Sequence, residues 1–224
     1  NNDALLIEAK MQYELGNAQS AWKLYHQLLK NDSNYAAANY ELAGMCFELG
    51  MYDSTLYYAT KAYNLAPENE WYALLLADMY KRMYQLPKAI KVMEALVKQQ
   101  PEVLEYYHEL ANIHLANNDV AKAIGVYNKL EKRIGVSEEI SLRKQKIWES
   151  DGKTDKAVAE IKKLAEAYPK EKKYNLIMAE LYMGKKDYDE AYTYYDRVLK
   201  ADPNDEYIHI SLANYYKCVN KHDE

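Results

Sequence analysis

Apolar residues recur along this chain at spacings of three and four, which is the pattern of a helix that buries one face. Residues 36–48 show it, with Tyr40, Ala43, Cys46 and Phe47 on the same side. A turn at Gly50 leads to a second segment over residues 54–65, and Pro67 ends that segment because proline cannot continue a helix. No alternation of period two accompanies these segments, so the sequence predicts an all-α fold.

The helical pattern repeats with a fixed period of 34 residues. Small residues of the second segments mark it: Ala21, Thr55, Ala89, Ala123, Ala157 and Ala191. Residues of the first segments lie twelve positions before each of these: Ala9, Ala43, Ala77, Ala111, Gln145 and Ala179. Residues that end each unit lie twelve positions after: Ser33, Pro67, Pro101, Gly135, Pro169 and Pro203. Three markers in one register indicate repeating supersecondary units.

The period divides the chain into six helix–turn–helix units and part of a seventh. We place them at residues 2–35, 36–69, 70–103, 104–137, 138–171, 172–205 and 206–219. Because such units bury their apolar faces only on their neighbours, we expect one α-solenoid domain over residues 1–224, with about 13 antiparallel helices. The last helix is apolar on more than one face, which favours a fragment of a longer repeat protein.

Small residues inside the helices allow neighbouring helices to approach closely. The fifth unit departs from this rule, since Gln145 replaces the small residue and Lys144 replaces a leucine. We therefore expect looser or slightly shifted packing between the fourth and fifth units. Between the two helices of a unit, Gly16, Gly50 and Gly152 share one turn position, where Asn118, Tyr84 and Lys186 stand in the other units. That position favours residues that tolerate a left-handed backbone.

The pattern of residues in these units resembles that of the tetratricopeptide repeat family, whose unit has about 34 residues. In the sixth unit they are Leu181-Tyr182, Tyr188-Asp189-Glu190-Ala191 and Asp202-Pro203-Asn204. The resemblance covers residues 2–205 and implies a right-handed superhelix whose first helices line a concave groove. It also implies a non-enzymatic scaffold that binds an extended peptide or a partner helix in that groove. The composition of the chain, poor in cysteine and rich in tyrosine, lysine and asparagine, resembles that of bacterial members of the family.

Composition narrows the classes of function. A net charge of −5 and an isoelectric point near 5.7 argue against a nucleic-acid binder, which ordinarily has a basic face. The apolar runs are too short to predict a membrane-spanning helix. Cys46 and Cys218 lie in distant units and are expected to be free thiols. Most of the 24 tyrosines are expected to pack their rings and direct their hydroxyls to water.

No catalytic constellation is recognisable in the sequence. The five histidines form no metal-binding or acid–base motif; they are His26, His108, His114, His209 and His222. His114 falls at a core position of its helix, where a buried imidazole is expected. The seven glycines form no phosphate-binding loop. We predict no enzyme activity, no cofactor and no metal site.

The groove positions implied by the resemblance supply the candidate binding residues. In the second and third units these are Tyr40, Phe47, Trp71 and Leu74, and aromatic anchors beside polar groups are typical of peptide interfaces. The alternative interpretation is that these side chains only pack against the next helix. In units four to six the candidates are His108, Asn112, Arg143 and Lys173. They favour a protein partner with an acidic segment. The alternative interpretation is that they are ordinary solvated surface residues.

A two-carboxylate clamp, which some members of the family use to hold a C-terminal carboxylate, matches only in part. His108, Asn112, Arg143 and Lys173 fall on four of its positions, but only Asn112 and Lys173 match in residue type. Two other functions stay open: the docking portion of a longer enzyme, and an RNA-binding helical repeat, which the acidic balance and the period of 34 disfavour. We expect the bacterial cell envelope as the location, with the cytoplasm as the alternative.

Overall fold

Thirteen α-helices make up the described part of the protein, which is residues 1–219 of a computed structural model. In chain order they are α1 Asn2–Glu14, α2 Ala18–Asn31, α3 Ala36–Glu48, α4 Tyr52–Leu65, α5 Glu70–Arg82, α6 Leu86–Gln99, α7 Leu104–Ala116, α8 Val120–Ile134, α9 Glu138–Ser150, α10 Thr154–Ala167, α11 Lys172–Lys185, α12 Tyr188–Ala201 and α13 Glu206–Val219. The predicted all-α helical repeat fold is confirmed over this range. His222 lies outside the described residues.

The helices group into two compact units, Asn1–Ala123 and the residues from Ile124 onward. In the first unit, α1 to α7 pack in sequence, each helix against the one before it. The same serial packing joins α9 to α13 in the second unit. Helix α8 crosses the boundary between the two units. A single solenoid domain over residues 1–224 stays a prediction.

Alanine residues of the repeat register lie at the helix contacts, as predicted. Ala9 and Ala21 are fully buried in the first unit beside Tyr25, Leu28 and Met45. In the second unit Ala179 and Ala191 are buried with Tyr195, Val198 and Ile208. A larger side chain at any of these alanines would meet the neighbouring helix, since protein interiors are closely packed. The alanines therefore set the separation of the helices.

The turn within each helix pair adopts the left-handed backbone that the sequence predicts. Gly16 and Gly50 have φ of +81° and +70°. Asn118, Tyr84 and Lys186 take the same conformation, with φ of +57°, +55° and +61°. For residues other than glycine and asparagine this backbone costs about 1 kcal/mol. Tyr84 and Lys186 are therefore held in place by the helices on either side.

Several tyrosine hydroxyls donate to carboxylates elsewhere in the helix array, while the expectation that most of the 24 tyrosines direct their hydroxyls to water stays a prediction. The bonds run from Tyr13 to Glu48, from Tyr35 to Asp3, from Tyr106 to Glu70 and from Tyr207 to Glu180. The hydrogen bond to Glu48, assisted by burial, raises the pKa of Tyr13 to about 12. These phenols therefore stay protonated and donate to carboxylates at any physiological pH.

Lys144 of the atypical fifth repeat is fully buried in the second unit. Its ammonium lies 2.8 Å from Glu131 of α8 and 2.9 Å from Glu160 of α10. Ser141 donates to Glu131 at 3.3 Å, and Lys163 contacts Glu160 at 3.0 Å. An ion cluster thus occupies the place of the usual leucine. Looser packing at this point stays a prediction.

Helix α13 begins with a carboxylate that has two roles. Asp205 accepts hydrogen bonds from the backbone N–H groups of Tyr207 at 2.9 Å and Ile208 at 3.3 Å, which is the arrangement of an N-cap. Its side chain also binds the ammonium of Lys172, which contacts Asp202 at 2.8 Å as well. The hydrogen bond with Lys172 is the main reason that the pKa of Asp205 is lowered below its ordinary value.

We predict that Lys144→Leu destabilises α9 by about 3 kcal/mol, because it leaves Glu131 and Glu160 without their buried cation. Restoring neutrality with Glu131→Gln and Glu160→Gln in the same chain should recover most of that loss. Native-state hydrogen exchange of the α9 amides measures both effects. Lys146→Leu, at an exposed lysine of the same helix, is the matched control and should change little. An unchanged α9 in Lys144→Leu would contradict the structural role of the cluster.

We predict that Asp205 stabilises α13 at neutral pH and ceases to do so in acid. A lowered pKa means that the folded state favours the carboxylate, so the gain is present above the ordinary value of 3.8 and is lost as the pH falls below it. Asp205→Asn keeps a capping oxygen but removes the charge. The urea midpoints of this variant and the parent should differ at pH 7 and approach each other as the pH falls below 3.8. A difference that persists in acid would refute this assignment.

Candidate functional site

First helices of successive repeats lie side by side in the first unit, and side chains connect them. Lys10 of α1 contacts Glu41 of α3 at 2.7 Å. The rings of Tyr40 on α3 and Tyr72 on α5 have centroids 4.9 Å apart. Lys81 of α5 pairs with Glu109 of α7. We call the surface formed by α1, α3, α5 and α7 the first-helix face.

Two of the predicted aromatic residues are partly engaged with the next first helix. Tyr40 is half-buried against Tyr72, and its burial raises the pKa of its hydroxyl. Phe47 lies 4.9 Å below the guanidinium of Arg82, a cation–π contact, and is also half-buried. Each ring therefore has one face packed and part of its surface open. A ligand could gain contact area here without displacing a core residue.

Trp71 is the most exposed of the predicted anchors, with 60% of its surface open to solvent. It follows the N-cap residue Asn69, whose side-chain oxygen accepts from the Trp71 backbone N–H at 3.0 Å. The helix start fixes the backbone of Trp71 while its indole stays accessible. An exposed indole on a fixed backbone suits a contact with a partner, because it brings a large apolar area.

A furrow between α5 and α7 contains two clefts, separated by the Lys81–Glu109 pair. The first, of about 380 Å³, is lined by Leu74, Ala77, Asp78, Lys81, Met93, Glu105, Tyr106 and Glu109. The second, of about 420 Å³, is lined by Lys81, Arg82, Tyr84, Leu86, Glu109, Asn112, Ile113 and Ala116. Two predicted residues, Leu74 and Asn112, thus line one cleft each. His108 lies half-buried on the same helix as Asn112.

The two cations along the furrow are paired with carboxylates of the protein itself. Lys81 contacts Asp78 at 3.4 Å as well as Glu109, and Arg82 binds Asp78 at 2.7 Å. Two cations and two carboxylates therefore share one network. The furrow therefore combines apolar floors with hydrogen-bonding groups, and Glu105 is a further carboxylate beside the first cleft.

The remaining two candidates lie in the second unit, and both are ion-paired. Arg143 donates to Glu139 through Nε at 3.1 Å and Nη2 at 2.9 Å. Lys173 contacts Glu138 at 2.6 Å, and this hydrogen bond raises the pKa of the Lys173 ammonium. An acidic ligand would compete with Glu138 and Glu139 for these cations.

Residues that the sequence reasoning did not select complete the furrow. Glu109 supplies its central carboxylate, and Ala116 and Ile113 form part of its second floor. Tyr84 stands at the mouth of that cleft with 89% of its surface exposed. The sequence did contain a signal for Tyr84, because this residue occupies a turn position that glycine fills in other repeats. The contact between side chains of α5 and α7 could be recognised only in the three-dimensional structure.

Cys46 is a buried free thiol and Cys218 an exposed one. Over residues 1–219 no three histidine, cysteine or carboxylate side chains converge on a common metal-binding point. Helices long and apolar enough to cross a membrane are likewise missing from that range.

Comparison with known proteins places the chain among helical repeats. Tetratricopeptide repeat models match residues 8–70, 74–135 and 150–215. Signal recognition particle subunit SRP72 of Dictyostelium discoideum is 34% identical over 125 residues. The match covers 51% of this chain, which spans only 18% of that protein's length.

Solved structures share the fold at low identity. The structure of Naa15/Naa10 bound to HypK-THB superposes with a TM-score of 0.72 at 16% identity, over 97% of this chain and 34% of that one. PilF of Pseudomonas aeruginosa gives a TM-score of 0.52 at 15% identity, over 95% and 97% of the two chains. At such identities the likeness concerns the fold and carries no information on ligands.

We predict that Tyr84→Asn stabilises the first unit by about 1 kcal/mol, because asparagine adopts the left-handed backbone more readily than tyrosine does. The reciprocal change Asn118→Tyr places tyrosine in the same conformation at the next repeat and should destabilise by a similar amount. Urea unfolding followed by circular dichroism measures both. Equal stability of the two variants would show that Tyr84 is not strained.

Proposed function

This chain belongs to the tetratricopeptide repeat family, and we propose on that premise that its first-helix face binds a peptide segment of a partner protein without catalysing a reaction. Repeats of this family serve as scaffolds for protein–protein contacts. The observation that carries the proposal is the furrow between α5 and α7, with its two clefts. The exposed indole of Trp71 and the half-open rings of Tyr40 and Phe47 extend that surface.

The apolar and aromatic content of the face supports a peptide ligand. Interface energy is concentrated in a few aromatic or aliphatic anchors that fill pockets, with polar groups around them. Trp71 and Leu74 supply apolar area on α5, while Asn112 offers donors and an acceptor on α7. These residues lie on helices, so they are positioned before a ligand arrives and little is lost in ordering them.

The relative and the charges support a proposal for the nature of the partner. SRP72 is by its name a subunit of a larger particle, which supports a protein component of an assembly as the partner. An acidic segment is the finer proposal for the second unit. Carboxylates of such a segment would have to replace Glu139 as the partner of Arg143 and Glu138 as the partner of Lys173. Such rim contacts would tune specificity more than affinity.

RNA binding has weaker support than peptide binding. Nucleic-acid affinity depends on cations that neutralise phosphates. On the first-helix face Lys10, Lys81 and Arg82 already bind carboxylates of the chain itself. A phosphate backbone would have to displace those carboxylates, which a protein of net charge −5 disfavours further.

We predict that Trp71→Ala weakens binding of a partner, isolated by affinity capture with the full chain, about tenfold. Tyr40→Ala should have a smaller effect, since its ring already packs against that of Tyr72. Tyr57→Ala is the matched control, because this tyrosine is 54% exposed but lies on the second helix α4. Calorimetry with the purified partner measures all three.

The second unit is tested with Arg143→Ala against the same partner. Weaker binding that becomes insensitive to salt would support an acidic segment at this residue. If Trp71→Ala and Arg143→Ala both bind as the parent does, the first helices are not the binding surface.

A further inference from the structure

Turns within the first three repeats share one edge of the helix array and carry exposed apolar side chains. Because successive helices joined by short turns run antiparallel, the turns α1–α2, α3–α4 and α5–α6 lie at the same end of the helices. We call this line of turns the turn edge. Its apolar residues are between 44% and 89% open to solvent, and they are Leu15, Leu49, Met51, Tyr52 and Tyr84.

Met51 and Tyr84 stand where the chemistry of helix ends favours other residues. Met51 is the N-cap of α4 but makes no capping hydrogen bond, at a position where asparagine, aspartate or serine would stabilise the helix. Tyr84 has a φ of +55°, a backbone conformation that suits glycine. Both residues lower local stability and at the same time place apolar surface on the same edge. Local departures of this kind cluster at functional sites.

The apolar turns are confined to the first three repeats. In repeats four to six the same three turn positions hold only polar residues and one glycine; those of the fourth repeat are Asn117, Asn118 and Asp119. Helix pairs of this chain therefore form without apolar residues in their turns. The fold does not require the exposure of Leu49 or Met51, and a contact with another molecule accounts for it.

Side-chain contacts join the turns of the second and third repeats into one patch. The ring centroid of Phe47 lies 6.3 Å from that of Tyr52 and 4.9 Å from the guanidinium of Arg82. Arg82 is the last residue of α5, two positions before Tyr84. The two turns thus present their apolar side chains as a continuous surface.

Carboxylates border the turn edge in the first two repeats. Glu14, Glu48 and Asp53 are exposed, and each is next in sequence to an apolar residue of the edge. Tyr13 donates to Glu48, and no lysine or arginine within residues 1–219 forms a salt bridge with any of the three. Residues 2–69 contain eight carboxylates and four lysines, a net charge of −4 in a chain whose total is −5.

The charge of the border changes at the third repeat. Arg82 binds Asp78 at 2.7 Å, so this cation is neutralised within the protein. Lys88 is exposed, donates to Gln85 at 2.7 Å and lies over the ring of Tyr80. The acidic border is therefore limited to the first two repeats.

We infer that the turn edge binds a segment of a partner protein whose apolar side chains cover the edge and whose lysine or arginine side chains meet the acidic border. This surface is additional to the peptide site proposed on the first-helix face and does not depend on it. Trp71 and Tyr84 lie at opposite ends of α5, a helix of 13 residues and about 20 Å. Tyr84 is the one residue of the turn edge that also lines a cleft of the furrow.

Two other occupants fit the charges less well. A second copy of this chain would bring the same carboxylates against each other, which opposes association. A lipid surface would set Glu14, Glu48 and Asp53 against the headgroups, where carboxylates lose hydration and anionic lipids repel them. A basic and apolar protein segment matches both the apolar patch and its border.

The test starts from a displayed library of random twelve-residue peptides. The library is first depleted on the double variant Met51→Asn/Tyr84→Gly and then selected on the parent chain. Both substitutions place a residue that the local backbone favours, so the double variant stays folded. The expected result is enrichment of peptides that combine leucine, methionine, phenylalanine or tryptophan with lysine or arginine and lack acidic residues. Fluorescence anisotropy then measures the affinity of synthetic peptides from this set.

Single substitutions locate the bound peptide. Tyr84→Gly should weaken binding about tenfold. Asn118→Gly, at the same turn position of the fourth repeat, is the matched control and should change nothing. Glu14→Gln should weaken binding and reduce its dependence on salt. Glu68→Gln removes an exposed carboxylate at the opposite edge, in the turn between α4 and α5, and should leave both unchanged.

Several outcomes would overturn the inference. They are a library without enrichment, enriched peptides of acidic character, and peptides that bind Tyr84→Gly as tightly as the parent. Peptides whose binding falls with Trp71→Ala but not with Tyr84→Gly would assign the ligand to the first-helix face and leave the proposed function intact.

Two further measurements test the other occupants of the turn edge. The mass of the chain in sedimentation is followed as a function of concentration, and its cosedimentation is measured with vesicles of phosphatidylcholine and phosphatidylserine. The expected result is that the parent and Tyr84→Gly do not differ in either measurement. Self-association or vesicle binding that is lost in Tyr84→Gly would assign the edge to a second copy or to lipid instead.

Discussion

Close contact between helices at small residues is the constraint on which the rest of this structure depends. Ala9 and Ala21 in the first unit, and Ala179 and Ala191 in the second, are buried where one helix meets its partner. Their lack of side-chain bulk sets the distance between helices, and larger residues such as Tyr25 and Val198 fill the space around them. No single pair buries enough surface to be stable alone, so stability is shared between neighbours.

Polar side chains add a second layer of contacts between the first helices. The Tyr13–Glu48, Lys10–Glu41 and Lys81–Glu109 contacts each join residues of consecutive repeats. They order the surface proposed to meet a partner and also neutralise its charges. A surface arranged in this way combines apolar area with hydrogen-bonding groups in fixed places.

The sequence was sufficient for the fold because the architecture repeats. The period located every helix pair, and the buried alanines and left-handed turns at Gly16 and Gly50 follow from elementary backbone and packing rules. The site was predictable only in part. Glu139 precedes Arg143 by four residues, so their pairing could have been read from helical spacing. Lys81 and Glu109 are 28 residues apart, and their contact depends on how side chains from different repeats reach across the surface.

The ion pairs of Lys144 could not be predicted from the sequence either, because they also join side chains of different helices. They make the fifth repeat chemically different from the others. Most repeats present alanine and leucine to their neighbours and could exchange places with little chemical conflict. The fifth repeat could not, because the charge of Lys144 is matched by Glu131 from the preceding repeat and Glu160 from its own. Duplication, deletion or transplantation of α9 and α10 without α8 would separate a buried cation from one of its anions. The fourth and fifth repeats are therefore coupled by a buried ion cluster, and we expect them to tolerate separation less well than repeats that meet through alanine and leucine alone.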